Sequence, residues 1–295
     1  MVQAVCSDVV RVPEAEVRRW VEAAHRSRLA SHVLHQVHDP LAGSSLDADD
    51  KAYPWEKCSA WVRSNLVAAV DHLVFWANVV APQTVYDGMT VSNPPRAYYT
   101  LARSGLECAA QAVWVLDHDA SPERVDRHLR LLYHDLRQMA LAFEAVGDDR
   151  STVARERMTV LAERLGDAER LARIKKHEPK YSSMVRETAD AIGLTPGDAE
   201  FLWRSTSAAA HGKNWFQHVG YTASVGEQYE PGYFRAALQP DPMEITRSVT
   251  AAANLTLHGV LRFATRSGHD PSPLVEAAFS KLKRDTPLKD PRPDQ

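Results

Sequence analysis

Apolar residues recur at helical three-and-four spacing over almost the whole chain, whereas runs alternating apolar with polar residues between turn signals are nearly absent. Helices with such stripes must bury them on one another, which leaves few architectures. The class expected is all-α: a multi-helix bundle with no significant sheet, built as one unit or as two closely packed lobes. The pattern predicts helices over about 13–38, 55–81, 95–117, 121–146 and 151–174, then about 183–192, 196–211, 241–267 and 271–283. Ser121-Pro122-Glu123, Thr195-Pro196-Gly197-Asp198 and Asp241-Pro242-Met243-Glu244 each set a capping side chain before a proline at the first helical position. Gly193 and Gly212 stand where helices should stop.

Two longer connections interrupt this pattern, 39–54, rich in Asp, Ser and Gly, and 212–240, which carries Trp215, Phe216, Tyr221, Tyr229, Tyr233 and Phe234. The expected organisation is an N-terminal helix and linker over 1–54, a main helical domain over 55–283, and a proline-rich charged tail over 284–295 without fixed structure. No internal repeat is present.

A chain of 295 residues with 44% hydrophobic and 25% charged content has the balance of a packed globular protein. Its net charge of −3 supplies no overall pull towards nucleic acid or an anionic membrane, so any nucleic-acid contact must use a local patch. Cys6, Cys58 and Cys108 are odd in number and far apart, which argues against a disulfide framework or structural zinc and for a reducing cytoplasm. Asp8, Arg11, Glu14 and Glu16 interrupt the apolar stretch that a secretory signal requires. The most apolar segment, Leu66 to Ala81, is cut by Asp71, His72 and Asn78 and reads as a buried helix; no membrane contact is expected.

Polar residues on apolar helices mark the candidate sites. Along the predicted helix 95–117, Arg96, Thr100, Arg103, Glu107, Gln111 and Trp114 form one stripe, and Arg103 and Glu107 are spaced to pair at i and i+4. The stripe reads either as part of a site or as a structural ion pair on a solvated face. On the next helix Arg127, Arg130, His134 and Arg137 share a face opposite Leu129, Leu132, Leu136, Met139 and Phe143. Such a basic face suits contact with the phosphates of RNA, or simply faces water. His25, His32, His35 and His38 fan over about 120° of a helix with no carboxylate at matching spacing, so surface histidines and no metal are expected.

The most informative segment is Trp203-Arg204-Ser205-Thr206-Ser207-Ala208-Ala209-Ala210-His211-Gly212. Seven residues are nearly two turns, which puts Arg204 and His211 within about 20° on one face with Ser207 between them. Arginine there suits a phosphate and histidine a proton transfer. At the helix C-terminus the dipole favours an imidazolium, a form fit for general-acid work. The same spacing recurs at Arg18/His25 and Arg127/His134, and what sets Arg204/His211 apart is the small-residue helix, Gly212 and the aromatic segment beyond.

An arginine followed by histidine near a helix end resembles the motif of the HEPN superfamily, helical proteins that include metal-independent endoribonucleases of defence, stress and toxin–antitoxin systems. Arg103-Ser104-Gly105-Leu106-Glu107 and the His-Gly ending also resemble stretches of actinobacterial helical proteins loosely grouped with it. The resemblance spans about residues 95–215. It implies Arg204 holding phosphate and His211 as acid or base, with Ser207, Arg103 and Glu107 in support, no cofactor, RNA as substrate, and a homodimer or cognate protein partner. The family commonly has Asn, Asp or His after the arginine; this chain has Ser205. Lys213 and Trp215, after the motif, suit RNA phosphate contact and base stacking, or else belong to a flap over an apolar groove. Two other readings use the same residues: a non-catalytic helical binding protein that engages a protein partner or small anionic ligand, and a small-molecule enzyme with a pocket lined by Arg103, Glu107 and His211.

Overall fold

The computed structural model describes residues 12–82, 95–176 and 178–285. These residues form twelve α-helices: α1 (Glu14–Leu34), α2 (Ser45–Ala52), α3 (Cys58–Val80), α4 (Pro95–Leu116), α5 (Ser121–Ala145), α6 (Arg150–Leu165), α7 (Ala168–Lys176), α8 (Tyr181–Glu187), α9 (Pro196–Ala210), α10 (Gln217–Gly220), α11 (Pro242–Arg266) and α12 (Pro271–Asp285). One antiparallel hairpin, β1 (Tyr221–Glu230) with β2 (Tyr233–Pro240), stands among them. Among the described residues no helix is long and apolar enough to cross a membrane.

The fold is organised around α4, whose Ala102, Leu106, Ala109, Ala110, Ala112, Val113, Val115 and Leu116 are buried on several faces because α3, α8, α9 and α11 surround it. Small residues let these neighbours come close. A Cβ on Gly259 of α11 would lie 2.8 Å from Leu66 Cδ2 and 3.0 Å from Val113 Cγ2, so glycine is what allows α3, α4 and α11 to meet there. Gly259→Val is expected to overpack this contact and cost about 2–3 kcal/mol in urea unfolding; unchanged stability would mean the helices do not approach so closely.

Helix α1, assigned from the sequence to an N-terminal helix and linker, lies in the same core. It packs on α3 and α11, and Trp20 sits edge-on to Trp76 and Tyr98 while its indole N–H donates to Thr246 Oγ1 at 2.7 Å. A smaller apolar cluster joins α5 to α6 and α7 through Val125, Leu129, Leu132, Leu136, Leu161 and Ile174.

The sequence expectations hold for the long helices and fail at three places. The helix expected over 151–174 breaks at Gly166, which adopts φ +59°, and Asp167 Oδ1 then accepts the Arg170 N–H to start α7. Segment 39–54 contains α2, started by Ser44, whose hydroxyl accepts the Asp47 N–H at 3.3 Å. The expectation of no significant sheet is corrected within 212–240: Pro231-Gly232 closes a hairpin, with Gly232 at φ +81° and the register bulged between Val225 and Gln228. The ribbon is exposed along almost its whole length on both faces, so it has no alternating pattern for a sequence reading to find. Ahead of the ribbon, in the same segment, Phe216 is buried against Tyr99. Most of the expected tail, residues 286–295, lies outside the described residues.

Candidate functional site

Helix α9 ends in a Schellman turn: the Gly212 N–H donates to Ala209 O at 3.3 Å, the Lys213 N–H to Ala208 O at 2.9 Å, and Gly212 takes φ +65°. His211 is the residue at this cap, its own N–H donating to the carbonyl of half-buried Ser207, and its ring is left exposed. The adjacent helix α4 presents Arg103 to it. Arg103 Nη1 stands 3.0 Å from His211 Nε2, and Arg103 Nε donates to Glu107 Oε1 at 2.9 Å. A guanidinium only donates, so the contact uses Nε2 as acceptor and places the imidazole proton on Nδ1.

The Arg103–Glu107 pair is mostly buried, with side chains 20% and 14% exposed. Trp203 of α9 donates its indole N–H to the same Glu107 Oε1 at 2.7 Å. Glu107 therefore fixes Arg103 from below while Arg103 meets His211 from the side. Tyr181, at the start of α8, lies near enough that Glu107 raises its phenol, on top of the larger effect of burial. The thiol of Cys108 is pushed up to about 11, by burial first and by Glu107 next, so it stays protonated. Trp203 and Tyr181 were missed by sequence reasoning; no periodicity or motif ties residues on α8 and α9 to a carboxylate on α4.

The arginine facing His211 is thus Arg103 and not Arg204. Arg204 turns back one helical turn to Glu200 Oε1, which it contacts through Nε at 2.8 Å and Nη2 at 2.6 Å, and its side chain is 59% exposed. Hydrogen bonds from Arg186 and then Arg204 hold the Glu200 carboxyl below its ordinary range. No described hydrogen bond or ion pair joins Arg204 to His211; their shared face separates them by about 10 Å along the axis. Lys213 and Trp215 are exposed just beyond the turn, next to buried Phe216, which packs on Tyr99 under the Arg96 guanidinium.

The basic face expected on α5 is not presented as an open stripe. Arg127 and Arg130 fold over the Trp114 ring, at 4.8 and 5.8 Å, and Arg127 Nη1 donates to Trp114 O at 2.6 Å. His134 is buried, and Arg137 is exposed with Glu178 at 3.8 Å. The reason is that α5 is covered on more than one side, by α2 and α4 and by α6 and α7, so its polar residues become internal ties. Of the four histidines only His25, exposed, and His32, half-buried, lie on α1, which ends at Leu34; His35 and His38 are exposed beyond its end. Clefts of about 420 and 360 Å³ open elsewhere, and none of Arg103, Glu107 and His211 lines either.

No family model, curated protein or solved structure matches the chain.

Proposed function

We propose that this chain is a HEPN-like, metal-independent endoribonuclease whose acting groups are His211 and Arg103. The observation that carries the reading is the 3.0 Å contact between Arg103 Nη1 and His211 Nε2, backed by the mostly buried Glu107. A fixed arginine beside a solvent-facing imidazole is what transfer at an RNA phosphodiester needs: a cation for the phosphate and a base for the 2′-hydroxyl. On substrate binding the Arg103 donors pass from Nε2 to the non-bridging phosphate oxygens, which frees the Nε2 lone pair. His211 then takes the 2′-hydroxyl proton, the 2′-oxygen bonds to phosphorus, and the bond from phosphorus to the 5′-oxygen breaks. The products are a 2′,3′-cyclic phosphate and a 5′-hydroxyl, the leaving oxygen being protonated by water. Glu107 and Trp203 act as positioning residues through Arg103. Arg204, Lys213 and Trp215 lie where flanking nucleotides would pass.

Incubation of total RNA with the purified protein in EDTA tests this. Arg103→Ala is expected to remove cleavage, while Arg204→Ala weakens it without removing it. Loss in the Arg204 variant with full activity in the Arg103 variant would overturn the assignment. A second reading, a non-catalytic binding protein, is favoured by the hairpin, where Val225 is 71% and Phe234 44% exposed among the described residues.

A further inference from the structure

A cleft of about 420 Å³ opens between α1, α9 and α11, beyond the N-terminal half of α9, and is separate from the His211 site. That volume lies within the range of small-molecule sites, and the cleft sits between bundle helices, where such sites are common. Its apolar lining is made by Ile192, Leu194, Leu202 and Ala251. The lining also includes Arg19 of α1 and Arg247 of α11.

The hydrogen-bonding groups here are unbalanced towards donors. Arg19 Nη1 donates to Glu16 Oε1 at 3.1 Å and Arg247 Nη1 to Glu244 Oε1 at 2.8 Å, each within its own helix, so among the described residues most of the five N–H groups of each guanidinium have no acceptor. Asn254, also in the lining, accepts from Arg26 through Oδ1 at 2.9 Å, which leaves its amide N–H groups as the remaining donors. Asp198, the acidic side chain on the rim, is engaged by the Thr195 hydroxyl at 2.7 Å as part of the α9 cap. Thr250 Oγ1, in the same lining, is buried without a hydrogen-bond partner among the described residues.

We propose that this cleft binds a small apolar carboxylate, its hydrocarbon body against Leu194, Leu202 and Ala251 and its carboxylate between Arg19 and Arg247. Guanidinium forks match a carboxylate in geometry and charge, and the apolar lining supplies burial that inorganic anions cannot use. Aliphatic and aryl acids share this chemistry. The site does not depend on the nuclease reading.

Sodium octanoate and 3-phenylpropanoate are titrated into the full chain by isothermal calorimetry, with octanamide and inorganic phosphate as controls. One of the acids, or both, is expected to bind with a Kd of about 1 mM or tighter, given about ten non-hydrogen atoms. The order of the two acids tells the aliphatic from the aryl class. Octanamide is expected to bind about ten-fold more weakly than octanoate, and phosphate not measurably. Arg19→Gln/Arg247→Gln, two substitutions at the surface, should remove the preference for acid over amide, and Thr250→Phe, which fills the cleft, should abolish both. Saturable binding of neither acid, equal affinity for acid and amide, or unchanged affinity in either folded variant would overturn the proposal.

Discussion

Replacing Arg124 with methionine is expected to lower stability by about 3–5 kcal/mol in urea unfolding, the largest loss expected from a single side chain here. Arg124 Nε donates to Asp49 Oδ2 at 2.7 Å and Nη2 to Asp49 Oδ1 at 3.0 Å, with the two side chains only 2% and 0% exposed. Its remaining donors reach His118 O at 2.9 Å, Asp119 O at 2.6 Å and Ser45 Oγ at 2.7 Å, so one guanidinium ties α2 and the α4–α5 turn to α5. Methionine fills much of the space but leaves Asp49 charged, buried and without its cation; the Ser121 hydroxyl that also donates to it is no substitute. Adding Asp49→Leu to Arg124→Met should recover part of the loss, because the isolated charge then disappears. A loss below about 1 kcal/mol in the single variant would mean the pair is not buried as described.

Replacing His211 with alanine is expected to cut RNA cleavage by about 10²- to 10⁴-fold, the range for removing a general base, with the thermal midpoint unchanged. The fold should not notice: the ring is exposed, and the cap it occupies is made by backbone N–H groups and Gly212. Glu107→Gln tests the positioning role in the same assay. It keeps the acceptor for Arg103 and Trp203 but removes the charge that holds Arg103, so activity should fall by less than in Arg103→Ala. Equal cleavage by the His211→Ala variant and the wild type would remove His211 from the chemistry.

How much of this was legible follows from the separation of the partners. Arg103 and Glu107 are one turn apart on α4, so their pairing could be read from spacing. The helix starts at Thr195-Pro196 and Asp241-Pro242 fell where expected because those side chains cap locally, whereas Ser121, expected to cap α5, is its first residue and gives its hydroxyl to Asp49 instead. Arg204 and His211 share a face on any helical wheel, yet a wheel does not show that Glu200 takes Arg204 or that α4 brings another arginine to the histidine. No motif or periodicity in the sequence singles out Arg124. Its partner Asp49 is 75 positions away in a segment that read as a connection, so nothing local distinguished a buried tie from a solvated side chain. The hairpin was illegible for the opposite reason: both faces are wet, so burial imposes no alternation on it.

The most direct test of the central claim compares an RNA oligonucleotide with its DNA counterpart in EDTA, using wild type and His211→Ala, with the product ends identified by mass spectrometry. The account predicts that wild type cleaves RNA alone, leaving 2′,3′-cyclic phosphate and 5′-hydroxyl ends, and that His211→Ala leaves both strands whole. Intact RNA with folded wild-type protein, cleavage of DNA as well as RNA, or undiminished cleavage by His211→Ala would contradict it.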